Sequence, residues 1–265
     1  MVQTLKAVVF DWAGTMIDFG SRAPVVALVR LFEGEGVPIG EAEARADMGM
    51  AKRDHIRAIL SMPHVAAAWH TQHGAPPTEA DGDRLFAAIG PMMRLAANAC
   101  SDLIPGAAAI AARLRAAGVP IGSCTGYTRA MMADILPRAA AQGYAPDLLV
   151  CAGDTLHGRP SPLMAWKALV ELGAWPAEAC VKVDDAEVGI AEGRAAGMLT
   201  VGIAASGNRV GLSLADWQAL PEEDRAARRE AARDALIGAG AHVVIDTVAD
   251  LPQALSVLGV AVALD

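Results

Sequence analysis

An α/β protein, built as a parallel sheet core with an inserted helical cap domain, is the fold class that the sequence predicts. Three observations carry it. Short apolar runs recur between turn residues: AVVF (7–10), VPIGSC (119–124), DLLVCA (147–152), VKV (181–183), LTVGIA (199–204) and HVVI (242–245). Ala-rich helical patterns such as 107–117 and 161–172 alternate with them. One interval, from Phe19 to Asn98, breaks the alternation and reads as helices without a strand. Strands that are apolar throughout and alternate with helices belong in a parallel sheet covered on both faces. Such Rossmann-like sheets bind ligands beyond the carboxyl ends of their strands.

The first strand, 7–10, runs into Asp11 and a loop containing Gly14 and Thr15. In the insert, APVVALVRLFEGEG (23–36) has apolar residues at helical spacing and a glycine stop, and its start at Ser21 carries no strong polar signature. Helical segments 41–48 and 51–60 follow. The stretch 78–99 is helical, but Gly90-Pro91 should kink or split it. Pro105-Gly106 marks the return to the core. The division is therefore a core of 1–19 and 99–265 and a cap of 20–98. The charged stretch 214–240 reads as helix with a solvated face. The apolar run 255–264 has about half the length needed to span a bilayer and reads as a buried helix or strand.

With 265 residues the chain suffices for one large domain or two modest ones, and 54% hydrophobic residues supply a full core. A net charge of −8 argues against nucleic acid or an anionic membrane as partner. An anionic substrate must then be held by a local cluster of donors. Cys100, Cys124, Cys151 and Cys180 form no CxxC pair and no zinc spacing, and read as reduced core residues. With an N-terminus that lacks a signal-peptide pattern, this gives a cytoplasmic protein as the expectation.

Five places carry chemistry, and each also has a bland reading. Asp11 is either a cap for its own turn or a nucleophile and metal ligand, with Gly14 and Thr15 letting backbone N–H groups face a phosphoryl oxygen. Thr125 and Gly126 follow a second strand and precede a helix, which suits an N-cap or an anion site equally. Arg159 in GRPSP (158–162) is a solvated loop arginine or a planar fork for phosphate. Asp184-Asp185 ends a buried strand, as a polar turn or as carboxylates for a hard cation such as Mg²⁺. Lys52, on its own, is a solvated helix lysine.

The order of these features resembles the four-part signature of the haloacid dehalogenase superfamily, over the whole chain and with the helical insert where that superfamily carries a cap. More closely, FDWAGT (10–15), MGMAKRDHIRA (48–58), GSCTGYTRAMM (122–132), GRPSP and VKVDD (181–185) resemble the phosphonatase family within it. That family cleaves the C–P bond of phosphonoacetaldehyde to acetaldehyde and phosphate, requires Mg²⁺ and forms a Schiff base on a cap lysine. The resemblance implies Asp11 as nucleophile, Lys52 as the Schiff-base lysine, and Asp11, the Ala13 carbonyl and Asp185 as metal ligands. It also implies a homodimer. His55 shares a helical face with Lys52 and is placed to relay protons. Met48 and Gly49, one turn back, give an apolar floor. Thr125, Gly126 and Arg159 would hold the phosphonyl group, and Tyr127 lines that pocket or is a buried structural tyrosine. One departure stands out: Gly189 occupies a position where many of these enzymes have an acid, which leaves Asp185, helped by Asp184, to serve the metal.

Ala13 explains itself only beside Lys52. A phosphate ester leaves as an alkoxide, and an acid two residues after the nucleophile protonates that oxygen. A phosphonate leaves as carbon, whose charge must be delocalised. An iminium does this, so the required group is an amine and the acid is dispensable. A phosphatase or mutase of the same superfamily would need the acid that Ala13 lacks. A dehalogenase needs no Mg²⁺ and leaves Asp184-Asp185 unexplained. A non-catalytic phospholigand-binding module has no use for the full set of Asp11, Thr125, Arg159 and Asp185.

Overall fold

The computed structural model describes residues 3–261. Chain order begins with β1 (Gln3–Thr4) and β2 (Ala7–Phe10). Five helices follow without a strand: α1 (Arg22–Gly34), α2 (Glu41–Ala46), α3 (Lys52–Ser61), α4 (Pro63–His73) and α5 (Glu79–Ala99). Then come α6 (Ala107–Ala116), β3 (Ile121–Thr125), α7 (Arg129–Met132), α8 (Ile135–Ala141), β4 (Leu148–Cys151), α9 (Leu163–Glu171), β5 (Cys180–Asp184) and α10 (Glu187–Ala195). The chain closes with β6 (Leu199–Ile203), α11 (Leu214–Ala219), α12 (Glu222–Gly238), β7 (Val243–Ile245), α13 (Leu251–Val257) and β8 (Val260–Ala261).

Six strands form one parallel sheet in the order β4-β3-β2-β5-β6-β7. All six runs read as strands from the sequence are in it. β2 shows why they are apolar at every position. Val8 and Phe10 pack into the core on one face, while Ala7 and Val9 pack with Met164, Ala165 and Ala168 of α9 on the other. From β2 the chain proceeds outward through β3 and β4, then returns to lay β5 on the other side of β2. The carboxyl ends of β2, β3 and β5 are thus neighbours at the point where strand order reverses, where α/β sheets open a crevice. β1 and β8 pair separately, Gln3 with Val260 and Thr4 with Ala261. At two residues each they are too short to leave a pattern. Of the apolar run 255–264, residues 255–257 end α13 and 260–261 form β8, while 262–264 lie outside the described residues.

One expectation is corrected. Gly90-Pro91 neither splits nor ends its helix, since α5 runs unbroken through Pro91 to Ala99. Proline disfavours helix at the residue before it by clashing with that residue's Cβ, and Gly90 has none. Leu85, Ile89 and Met93 are fully buried on either side of the proline, and α5 packs along α1 and α3, so burial holds the helix through the missing hydrogen bond. The stretch 214–240 is two helices, broken at Leu220-Pro221. The start of α1 also has a polar signature that lay upstream of where it was sought: Ala23 N donates to the Asp18 carboxylate at 2.8 Å. Among the described residues, no helix is long and apolar enough to cross a membrane. Cys124, Cys151 and Cys180 are buried, Cys100 is half-buried, and all four are free thiols.

Candidate active site

Asp11 leaves β2 with its backbone N–H bonded to Val183 O on β5 at 2.9 Å. Its loop turns tightly. Thr15 N, Met16 N and Ile17 N all donate to Trp12 O, and Gly14 N donates to Ile17 O at 2.8 Å. This corrects the expectation that the Gly14 and Thr15 amides face a ligand, because both are spent within the loop. The loop closes as a bridge between Ala13 and Ile17 in which the neighbours of Ala13 make the bonds. Among the described residues no partner reaches Ala13's own N–H or carbonyl, which leaves both open. Thr15 acts instead through its side chain, whose hydroxyl donates to Asp185 Oδ1 at 3.1 Å.

Asp11, Asp184 and Asp185 are all buried, and each offers a carboxylate oxygen within 4.8 Å of the others. Burial and then the like charge of Asp184 push the Asp11 carboxyl up to about 6, with Arg159 and Lys182 opposing. Burial, Asp11 and Asp184 push Asp185 well above the usual carboxylate range. Three acids held this close without enough positive charge fit a metal ion, whose binding would relieve both penalties.

The position of Gly189 now has a physical account. It lies on α10, and a Cβ there would overlap the Asp184 carboxylate. Asp184, at the end of β5, therefore fills the space that a side chain at 189 would need. Its carboxylate is shared: Oδ1 accepts from Ala186 N at 3.0 Å, and Oδ2 lies 3.1 Å from Lys182 Nζ and 3.4 Å from Arg159 Nη2.

Arg159 is buried, not solvated. Its Nη1 donates to Asp11 Oδ1 at 2.7 Å, Nη2 to Cys124 O at 2.7 Å, and Nε to Glu192 Oε2 at 2.9 Å. Burial alone would lower its pKa, but Asp184, Asp11 and Glu192 hold it well above the ordinary arginine value. Glu192 also lies 3.2 Å from Lys182 Nζ. Sequence reasoning missed Glu192 and Lys182. A lysine in the middle of the otherwise apolar strand 180–183 was the available signal, since a fully buried cation requires an acid beside it.

Lys52 opens α3 and is 2% exposed. Burial lowers its pKa to about 8, with Asp11 pulling the other way. Its Nζ lies 3.3 Å from His55 Nδ1 and 3.9 Å from Met48 Sδ. Burial, then the Lys52 charge, push His55 down to about 2, so its imidazole is neutral, and in the tautomer with its proton on Nε2 the Nδ1 atom accepts from Nζ. Lys52 and Met48 line one narrow cavity of about 20 Å³ with Asp11, Ala13, Thr125, Gly126, Tyr127, Arg159 and Asp185. His55 stands behind Lys52 and does not line it. Thr125 Oγ1 accepts from Tyr127 N at 3.1 Å, while the buried Tyr127 hydroxyl has no partner among the described residues. Gly126 is required by close approach: a Cβ there would strike Met50 O and Gly49 O, where the insert sits on the core.

A metal prediction follows from the three acids. Mg²⁺ should raise the melting temperature of the free protein, since a ligand at a hundred times its Kd contributes about 2.7 kcal/mol. Asp185→Asn keeps one acceptor oxygen for Asn208 N, which donates to Asp185 at 2.8 Å, turns the other contact into an amide that can donate to the Thr15 hydroxyl, and removes a repelling charge. The variant should be at least as stable as the parent without metal and lose most of the Mg²⁺-dependent gain in a thermal-shift titration. An undiminished gain would remove Asp185 from the metal site.

A model of haloacid dehalogenase-like hydrolases matches residues 5–197. The chain is 52% identical over 247 residues to the phosphonoacetaldehyde hydrolase of Paraburkholderia phytofirmans, covering 93% of this chain and 92% of that one. It is 48% identical over 251 residues to the phosphonoacetaldehyde hydrolase of Hahella chejuensis, covering 95% and 85%. The crystal structure of a phosphonoacetaldehyde hydrolase-like protein from Oleispira antarctica superposes with a TM-score of 0.96 at 43% identity, covering 97% of this chain and 94% of that one.

Proposed function

The chain belongs to the phosphonoacetaldehyde hydrolases of the haloacid dehalogenase superfamily, and from this premise we propose that it cleaves phosphonoacetaldehyde to acetaldehyde and phosphate through a Lys52 imine and an Asp11 acyl phosphate. The observation that carries the reading is a pairing across one cavity: an Asp11 loop with Ala13 in place of an acid, faced by a buried lysine whose pKa lies near 8.

The neutral Lys52 amine attacks the aldehyde carbon, and the adduct takes up a proton from solvent and loses water to give an iminium two bonds from phosphorus. The Asp11 carboxylate attacks phosphorus. The C–P bond breaks, its electron pair moves into the iminium, and carbon departs as a neutral enamine. Protonation of the enamine carbon and hydrolysis of the resulting iminium release acetaldehyde and return Lys52. Water then cleaves the acyl phosphate to Asp11 and inorganic phosphate. Residues 20–98 serve as the cap. Their Met48–Met50 loop rests on Gly126 and keeps water from the acyl phosphate until the aldehyde has left. A cavity of about 20 Å³ holds little more than a water molecule, so the substrate enters when the cap lifts.

Arg159 would serve the phosphonyl oxygens with part of the fork it now lends to Asp11, and Glu192 and Cys124 O hold its plane. Thr125 and Gly126 would flank the same oxygens. Asp11, Asp185 and the open Ala13 carbonyl would hold Mg²⁺, which when bound supplies positive charge beside the nucleophile and the phosphonyl group. His55 accepts from Lys52 Nζ and orients it.

Release of phosphate from phosphonoacetaldehyde and from p-nitrophenyl phosphate, each with and without EDTA, tests the reading. Release from the first alone, lost with EDTA, is expected; hydrolysis of the ester in preference to the phosphonate would overturn it. Ala13→Asp probes the missing acid. A carboxylate in this cavity raises the pKa of Lys52 and lowers the share of free amine. At pH 8 the variant should lose about tenfold or more in kcat on phosphonoacetaldehyde, with its pH profile displaced upward. A faster Ala13→Asp enzyme would contradict the account of the absent acid.

A further inference from the structure

Arg45, on α2 of the cap, does not line the cavity, yet its side chain is only 15% exposed. Its guanidinium reaches both the hinge and the core. Nη1 donates to Gly20 O at 3.0 Å, in the segment that joins core to cap, and to Asn208 Oδ1 at 3.1 Å. Nη2 donates to Gly211 O at 3.0 Å. Asn208 returns a bond from Nδ2 to Arg45 O at 3.2 Å. The fit is close, since a Cβ on Gly211 would overlap the guanidinium.

Asn208 is buried, and its other side faces the reaction centre: its backbone N–H donates to Asp185 Oδ2 at 2.8 Å. Two residues earlier, Ser206 Oγ donates to Gly14 O at 2.8 Å in the Asp11 loop, and Ser206 O accepts from Gly20 N at 2.7 Å. The loop 206–211 thus lies between the metal carboxylate on one side and a cap arginine on the other. The hinge it touches has Asp18, Gly20 and Ser21 all in the left-handed region, with φ of 56°, 88° and 49°. Two non-glycine residues held there keep that conformation only when their surroundings enforce it. Arg45 is bonded to a carbonyl of that segment and to the loop that holds Asp185.

We propose that Arg45 is a positioning residue for Asp185: with the cap closed, its guanidinium fixes Asn208, and Asn208 holds the Asp185 carboxylate in place beside Asp11. The proposal rests on the reading of Asp185 as a metal carboxylate. It gives the cap a second task besides carrying Lys52, because closure then also orders the metal side of the centre.

The test is Mg²⁺ binding to the free enzyme by calorimetry, with amide exchange across 206–211, for the parent, Arg45→Ala, Arg45→Lys, Asn208→Ala and Asp185→Asn. Arg45→Ala should weaken Mg²⁺ by about tenfold or more, as for groups that orient a metal ligand, and should speed exchange at 206–211. Its kcat should fall more than its KM rises, and guanidinium ion at sub-denaturing concentration should restore part of both binding and kcat. Arg45→Lys, with one ammonium for several acceptors, should fall between. Asn208→Ala keeps the backbone donor to Asp185 and the carbonyl that accepts from Arg45 Nη1 at 3.3 Å but loses both side-chain bonds to Arg45, and should weaken Mg²⁺ in the same direction as Arg45→Ala; it stands in should Arg45→Ala not fold. A lower melting temperature with parent-like Mg²⁺ affinity and exchange would overturn the proposal, by showing that Arg45 only stabilises the fold. If the parent binds no Mg²⁺, or Asp185→Asn binds it equally well, the reading of Asp185 falls and this proposal with it.

Discussion

Lys52→Arg should reduce kcat on phosphonoacetaldehyde by at least about three orders of magnitude, the scale expected when a covalent route is lost. Arginine keeps a cation of similar reach but forms no imine, and its charge is permanent. In the parent, Lys52 is buried against Met48 and His55, and its pKa of about 8 leaves much of the amine free in mildly alkaline solution. The sign of the pH dependence is fixed by this: protonated Lys52 is inert, so the rate falls as pH drops below about 8 and levels off above it. An unperturbed lysine would place that limb more than two units higher. Borohydride added with substrate should inactivate the enzyme irreversibly and add mass to the peptide that contains Lys52. Of the four lysines, only Lys52 lines the cavity, while Lys182 is held between Asp184 and Glu192. A label on Lys6, Lys167 or Lys182, or efficient turnover by Lys52→Arg, would end the imine reading.

The sheet was legible because its strands are buried on both faces, so every position from Ala7 to Phe10 must be apolar and the run shows in the sequence. Asp11, Thr125 and Asp185 were legible because they stand where such runs stop. What could not be read was the partnering of residues far apart in the chain. Thr15 bonds Asp185 across 170 positions, and Arg159 bonds Asp11 across 148. Asp184 and Gly189 make the same point. In the sequence they look like an added acid and a lost one, whereas in space the two are complementary, since Asp184 occupies the volume a side chain at 189 would take. Pro91 misled for the opposite reason: a strong local signal was overridden by burial of α5 on both sides of it.

Asp11→Asn should abolish phosphate release, with a loss of about three orders of magnitude or more in kcat, while leaving the fold intact. The amide oxygen still accepts from Arg159 Nη1, now at 2.7 Å from Oδ1, and the substitution removes one of three crowded carboxylates. What it removes from the chemistry is the attack on phosphorus and nothing before it. Imine formation on Lys52 needs only the free amine and the aldehyde. Asp11 raises the pKa of Lys52, so Asp11→Asn should lower it further and let the imine form at lower pH. Borohydride should therefore still trap substrate on Lys52 in Asp11→Asn, and the adduct should retain its C–P bond. In the parent, reduction after cleavage leaves an ethyl group on the lysine. In Asp11→Asn the same peptide should carry a phosphonoethyl group, heavier by one phosphonyl unit. Mass spectrometry of the Lys52 peptide in the two proteins thus separates the residues by step: the lysine activates carbon and the aspartate takes phosphorus. An ethyl adduct in Asp11→Asn would mean that the C–P bond breaks without Asp11, and the nucleophile would have to be sought elsewhere.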